Sequence, residues 1–507
     1  MRRRYTARMP SSGIPSPHTV GDSAWRVAAI ALAVAIAFYA SLMQLPGVDF
    51  WLQAKIGGMV MQSGHIPDTV MFPFTEIADE RFNAHEWLTS ILFHYTLQSW
   101  GEQGMALFTG ALGAGLFLLL SLMAYPRAGN SLGLALLTGF LALWVENYRN
   151  VLRPELVVSL LMALYWVVLE KFARAPRLWH APAALLLVVL WTNSQGSFVL
   201  AVFLPAMYCA GAVLDQLRAG QGWRSVLHGA SVRFAGMTAL AALGVCINPF
   251  GLELVRFAFQ FGKENDLKPL IGEWHSTLDP MMLKVRGFWI ALAAWVLVLA
   301  CLIKTRKALR SADWLIFAFF TLLAVKAIRF PLYLCFLVPL YVPPALLTIW
   351  PGALPEKVWH RTLSAVATLT LLLCIAFGNA NGSYPFLDHT GTKLSRPMVE
   401  TLRNPAYAGN VLNSMELGSE LIYWAYPKLR PAIDCRLDSY GVAYYKFIFA
   451  LPFLPSELDA FVKRYDVKYM LLSHLIYTQF KNTPAGQSGR WKVILVDEEA
   501  AFLARTD

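Results

Sequence analysis

What constrains this chain most is a series of apolar runs, most of them near the length of a bilayer crossing, separated by short loops that alternate between basic and acidic. A hydrocarbon core takes about 20 apolar residues in a helix. The runs lie at 25–45, 104–125, 131–148, 155–172, 181–194, 198–217, 234–248, 286–303, 312–329, 331–349 and 362–379, which makes eleven. Hydrophobic residues are 57% of the 507 and charged residues 15%. A water-soluble globule is about a quarter charged, so the apolar surplus must face lipid. The sequence predicts an all-α polytopic membrane protein.

Orientation follows from the basic clusters. The first run follows a tail with Arg2, Arg3, Arg4 and Arg8 and is longer than the roughly 7–15 residues of a secretory core, so it reads as an uncleaved anchor with a cytoplasmic N-terminus. Residues 1–24, with Pro10, Pro15 and Pro17, read as a disordered cytoplasmic tail. Counting from inside, Arg127, then Lys171, Arg174 and Arg177, then Arg218, Arg224 and Arg233, then Lys304, Arg306, Lys307 and Arg310, then Lys357 and Arg361 fall in cytoplasmic loops. The net charge of +11 is therefore a topology signal and not a footprint for nucleic acid. Most acidic residues fall on the other side, where two loops are long, 46–103 and 249–285.

Within the first long loop, residues 86–99 place Trp87, Leu88, Ile91, Leu92 and Tyr95 on one helical face and Glu86, Ser90, His94 and Gln98 on the other, as in a helix lying along a membrane surface. Beyond residue 379 the hydropathy falls. Strand-like runs at Val467–Ser473 and Trp491–Val496 flank a helical stretch at Ser456–Arg464, giving a membrane domain over 25–379 and a small extracytoplasmic α/β domain over 380–507. Of six cysteines only Cys435 lies in a polar region, so no disulfide is expected.

Chemistry is expected on the outer side. Asp49 follows the first span at the lipid boundary, where a carboxylate is costly and tends to face a cavity or a partner. It also suits a helix N-terminus, and the two roles are compatible. Arg149, Arg153, Lys326 and Arg329 sit near the outer ends of their spans, against the positive-inside trend; they fit either an anionic ligand or simple snorkelling. His65-Ile66-Pro67-Asp68 and Asn83-Ala84-His85-Glu86-Trp87-Leu88 add Asp68, His85 and Glu86, though adjacent helical residues such as His85 and Glu86 point in different directions. Glu273 beside Trp274 shapes a pocket or anchors at the interface, and Asp434, Arg436 and Asp438 read most simply as a local ion network. No Gly-rich phosphate loop and no paired Cys or His-x-x-x-His spacing occurs. Too few fixed ligands are identifiable to assign magnesium or manganese near Asp49; a divalent metal is not required by the sequence, and the cofactor stays unknown.

Asp49-Phe50-Trp51, Ile66-Pro67-Asp68 and His85-Glu86-Trp87-Leu88, in that order after the first span, resemble the first outer loop of bacterial polytopic glycosyltransferases of the GT-C superfamily. Leu152-Arg153-Pro154-Glu155-Leu156, Trp191-Thr192-Asn193-Ser194-Gln195-Gly196, Asn248-Pro249-Phe250-Gly251, Glu273-Trp274, Ile328-Arg329-Phe330 and the stretch Ile433–Gly441 extend the resemblance over most of the chain. Two positions depart from it: Gln195 stands where relatives usually carry His, and Cys435 where they usually carry Gly. The resemblance implies a GT-C-like fold in a bacterial cytoplasmic (inner) membrane. It also implies inverting transfer of a sugar from a polyprenyl-phosphate donor to a glycan, lipid or protein acceptor of the cell envelope. Asp49 then matches the superfamily's catalytic first-loop Asp, and Arg153 and Arg329, with Arg149 and Lys326, are the candidates for the donor phosphate. Asp68, His85, Glu86 and Glu273 are candidates for the substrate pocket. The alternative is a secondary transporter or flippase, which would place charges at span centres; a non-enzymatic assembly factor of the envelope is a third reading.

Overall fold

Ten of the eleven apolar runs fold as helices in the computed structural model, which describes residues 18–42, 48–146, 152–261, 272–350, 362, 366 and 393–507. The helices are α1 (His18–Ala40), α2 (Val48–Ser63), α3 (Trp87–Ala124), α4 (Leu132–Glu146), α5 (Pro154–Arg174), α6 (His180–Thr192), α7 (Val199–Arg218), α8 (Trp223–Val226), α9 (Ala230–Val245), α10 (Leu252–Phe261), α11 (Arg286–Thr305), α12 (Ser311–Lys326) and α13 (Val338–Ile349). The run at 362–379 falls, apart from two residues, outside the described residues.

Five helices among the described residues are both long and apolar enough to cross a membrane: Ser23–Ala40, Trp87–Ala124, Pro154–Arg174, Gly196–Arg218 and Gly287–Ala308. The apolar helices α4, α6, α9 and α13 have 12 to 16 residues. At about 1.5 Å per residue these are shorter than a hydrocarbon core of about 30 Å, so helix length alone does not carry the count of eleven spans. The chain is a multi-pass membrane protein whose bundle buries Tyr165, Trp166 and Trp191 completely.

α3 is two helices joined at an elbow. Gly101 has φ 65° and ψ −165°, a conformation open to glycine and strained for a residue with a Cβ. The elbow separates the amphipathic stretch foreseen at 86–99 from the apolar stretch that follows. Ser90, Phe93 and Leu97 are buried, whereas Tyr95 on the apolar stripe is exposed. α2 crosses this arm closely: a Cβ on Gly57 would stand 2.0 Å from the Ser90 carbonyl oxygen.

The C-terminal domain is a mixed sheet of β1 (Gly409–Asn413), β2 (Leu429–Pro431), β3 (Val467–Ser473), β4 (Trp491–Val496) and β5 (Ala500–Arg505), in the order β2-β1-β3-β5-β4. β1 runs parallel to β2 and β3, and β5 antiparallel to β3 and β4. Helices α14 (Arg396–Arg403), α15 (Met415–Ala425), α16 (Leu437–Ala450) and α17 (Pro455–Tyr465) accompany it. β3 and β4 have the bounds read from the sequence, and α17 covers the predicted 456–464 helix.

This domain shares a core with the first long loop. Val70 is packed among Leu412, Ile433, Met470 and Leu503. Arg436 is 7% exposed and pairs with the fully buried Asp434 at 2.6 Å. It also donates to the Val70 carbonyl at 2.8 Å and lies 4.5 Å from the Phe82 ring centre. The ion network expected within the terminal domain therefore reaches out to fix the loop; the side chain of Asp438 is not described.

Candidate active site at two helix N-termini

Asp49 lies in the first turn of α2, where a carboxylate meets the positive end of the helix dipole. The next two residues fix its place. Phe50 and Trp51 are buried with Phe93, Leu152 and Leu156, which presses the start of α2 against α3 and the start of α5. Arg153 is the N-cap of α5, held in extended backbone by Pro154 at the first helical position. The two helix starts meet, and Arg153 Nη2 lies 3.6 Å from Asp49 Oδ2. Nη1 of the same guanidinium donates to Glu273 Oε1 from the second long loop.

Arg329 supplies a second guanidinium. Ile328 N donates to His275 O at 3.0 Å and Thr277 N to Val325 O at 3.2 Å, clamping residues 275–277 to the end of α12. The clamp sets the Trp274 ring centre 5.1 Å from the Arg329 guanidinium, within cation–π range. Arg329 Nη2 donates to Glu155 Oε1, in the first turn of α5 two residues from Arg153.

Gln53 is four residues from Asp49 and so shares its face of α2. Its Nε2 donates to Glu86 Oε2 at 2.5 Å, and Glu86 Oε1 is 3.8 Å from His85 Nε2. Burial lowers the His85 pKa; the Asn83 carbonyl opposes this and the Arg329 charge adds to it, leaving a neutral imidazole at pH 7. Glu86 and His85 are themselves placed by the Trp191–Gly196 stretch: Trp87 Nε1 donates to Asn193 Oδ1 at 2.8 Å and Leu88 N to Asn193 O at 3.1 Å. A Cβ on Gly196 would stand 3.3 Å from His85 Nε2. Gln195 turns inward on its own chain, accepting from Ser197 N at 2.7 Å.

The C-terminal domain closes one side. Burial first, and then the Asp49 and Asp434 carboxylates, push the Cys435 thiol well above its ordinary value, so it remains an S–H beside Asp49. Trp51 packs 4.8 Å from the Tyr423 ring and 5.2 Å from that of Trp424.

Of the candidates read from the sequence, Asp49, Arg153, Arg329, His85, Glu86 and Glu273 come together. No described interaction ties Asp68 or Lys326 to them. Asp68 is exposed in a loop whose backbone pairs with Phe82, and Lys326 is exposed at the end of α12. Arg149 lies outside the described residues. Sequence reasoning missed Gln53, Glu155 and Cys435 as members. Spacing along a helix marks the first two: Gln53 is one turn from Asp49, and Glu155 shares a helical turn with Arg153. Cys435 is marked only by its place in the Ile433–Gly441 stretch, which arrives from the far end of the chain.

A divalent cation needs several oxygen or nitrogen ligands converging on one point. Among the described residues no three His, Cys, Asp or Glu side chains do so. Asp49 and Glu273 both face Arg153, and Glu155 faces Arg329. The described residues do not fit a metal site as arranged, and no step below depends on one.

No protein-family profile matches the chain. Over 156 residues it is 30% identical to the probable arabinosyltransferase A of Mycolicibacterium smegmatis, a match covering 29% of this chain and 14% of that protein. The chain thus matches only a small part of that relative's length. Among solved structures, the Archaeoglobus fulgidus oligosaccharyltransferase in its apo form gives a TM-score of 0.55 at 11% identity, over 96% of this chain and 74% of that one. The same organism's AglB, solved with an inhibitory peptide and a dolichol-phosphate, gives 0.55 at 9% identity over 96% and 75%. A complex of that enzyme with Zn and sulfate gives 0.50 at 12% over 95% and 73%. The fold that the resemblance implies is borne out: the chain has the GT-C fold of the Archaeoglobus fulgidus oligosaccharyltransferase, and it shares a stretch of sequence with a probable arabinosyltransferase.

Proposed function

We propose that the chain is an inverting glycosyltransferase that moves a sugar from a polyprenyl-phosphate donor to an envelope acceptor at the outer face of a bacterial inner membrane. In this reading it crosses the membrane eleven times, with the N-terminus cytoplasmic and the C-terminal domain outside. The observation that carries the reading is the meeting of Asp49 and Arg153 at two helix N-termini. A phosphate leaving group is a weak base and needs no general acid, so one carboxylate and a cationic cradle suffice. Arg153 holds Glu273 closely and Asp49 at the longer 3.6 Å, so the donor phosphate most easily displaces Asp49. Displacement leaves Asp49 free to take the proton of the acceptor hydroxyl. The acceptor oxygen then bonds to the anomeric carbon from the face opposite the phosphate. The bond from that carbon to the phosphate oxygen breaks, and the departing anion stays on Arg153 and Arg329 through charge-assisted hydrogen bonds.

Asp49→Asn keeps size and polarity and removes the proton acceptor. In a membrane assay with polyprenyl-phosphate pentose and hexose donors, we expect activity to fall about 100-fold to 10,000-fold with an unchanged melting curve. Wild-type activity in Asp49→Asn overturns the assignment.

A further inference from the structure

A cavity lies between the α3 elbow and the C-terminal domain, beside the Phe50–Trp51 cluster. Its volume is about 570 Å³, within the range of small-molecule sites. Its walls come from two directions. Trp100, Glu102 and Gln103 flank Gly101, whose positive φ turns the chain there. Arg396, Glu400 and Arg403 come from α14, where spacings of four, three and seven put them on one stripe. The opposite stripe of α14 is buried through Met398 and Leu402, so the polar stripe is held toward the cavity. Tyr423 and Trp424 form the floor, and the Arg403 guanidinium lies 5.8 Å from the Trp424 ring centre. Burial, and then the Glu102 carboxylate, raise the Tyr423 pKa while Arg403 opposes them, so both charges bear on that phenol. The Trp424 indole N–H is buried and has no hydrogen-bond partner among the described residues.

We infer that this cavity is a binding site for an uncharged saccharide, serving as an acceptor subsite of the transferase proposed above. Three aromatic rings offer apolar faces to the C–H side of a sugar ring. Two guanidiniums supply donors and two carboxylates supply acceptors for its hydroxyls, with their charges balanced. The balance of charge argues against an anionic headgroup, which would meet Glu102 and Glu400 along with the arginines. Tyr423 and Trp424 pack at a tilt against Trp51, two residues from Asp49, so an occupied cavity abuts the element that carries the base.

The test is saturation-transfer difference NMR on the full chain in detergent micelles, with neutral tetrasaccharides of pentose and of hexose units as probes. Binding does not need turnover, so the result stands apart from the transferase assignment: Asp49→Asn is expected to bind as wild type does even if it is inactive. Trp100→Ala, at an exposed side chain, and Arg396→Gln are expected to weaken binding at least tenfold, with melting curves confirming their fold. Absence of signal from both probes, or wild-type binding by both variants, overturns the inference. So does displacement of the saccharide by glycerol phosphate but not by a competing neutral sugar, which would make the cavity an anion site.

Discussion

Removing the carboxylate of Glu170 tests the packing logic at the end of the bundle opposite the candidate site. Its side chain is 9% exposed near the C-terminal end of α5. Oε2 receives Arg127 at 2.6 Å, while Oε1 receives Arg310 at 3.1 Å and the Tyr208 hydroxyl. In Glu170→Ala, Arg310 keeps Asp313 at 2.9 Å and is 39% exposed, so water and a second carboxylate compensate it. Arg127 keeps only the Met123 carbonyl at 3.4 Å among the described partners. One guanidinium is stranded and not two, which sets the expected cost near the low end of the range for breaking a buried pair, about 3 kcal/mol. Glu170→Leu combined with Arg127→Met strands no charge and should lie within about 1 kcal/mol of wild type. Denaturant unfolding in detergent, followed by circular dichroism as a double-mutant cycle, measures both. The reasoning fails if Glu170→Ala costs less than about 1 kcal/mol, or if the double variant costs as much as the single one.

Arg153→Lys keeps a charge but not the fork that serves Asp49 and Glu273 together, so kcat/KM for the lipid-phosphate donor should fall at least about tenfold; an unchanged value would remove Arg153 from donor binding. Gly57→Ala drives a methyl into the Ser90 carbonyl, and melting should report about 1–3 kcal/mol of destabilisation as the α2–α3 crossing spreads. Burial raises the Glu420 carboxyl to about 7 despite backbone donors from Lys393 and Leu394. A carboxyl raised on folding stabilises fully below its unfolded value near ~4.3 and loses that contribution as pH climbs through 7, on the order of 3 kcal/mol. Melting temperature should therefore fall from pH 5 to pH 8, and Glu420→Gln should flatten the slope; an equal slope in the variant sinks the assignment.

Apolar runs and basic loops placed ten helices because burial in lipid is written locally, one span at a time. Span length was less legible: of the run at 331–349 only the 12 residues of α13 are α-helix, because Pro331–Phe336 folds as a tighter 3-10 turn. Arg127 and Arg310 read only as topology signals, yet both neutralise Glu170 of α5 from two separate loops, a pairing that local pattern cannot show. At the site, Asp49, Arg153 and Arg329 were visible because charge at an outer span end is unusual. β1, β2 and β5 went unread: β2 has three residues, and β5 (Ala-Ala-Phe-Leu-Ala-Arg) lacks alternation. Cys435 reaches Asp49 only through the tertiary fold.

Arg436 grips the Val70 carbonyl across 366 residues of sequence, and Val70 sits inside the hydrophobic centre of the terminal sheet. The ribosome must therefore deliver the chain through Leu503 of the terminal sheet before the early loop acquires its seat. Until then Asp49 has no Cys435 beside it, and Trp51 lacks Tyr423 and Trp424 as packing neighbours. A truncated product ending before the sheet would have its helices but not the contacts that complete the candidate site, so assembly itself leaves incomplete chains without that arrangement.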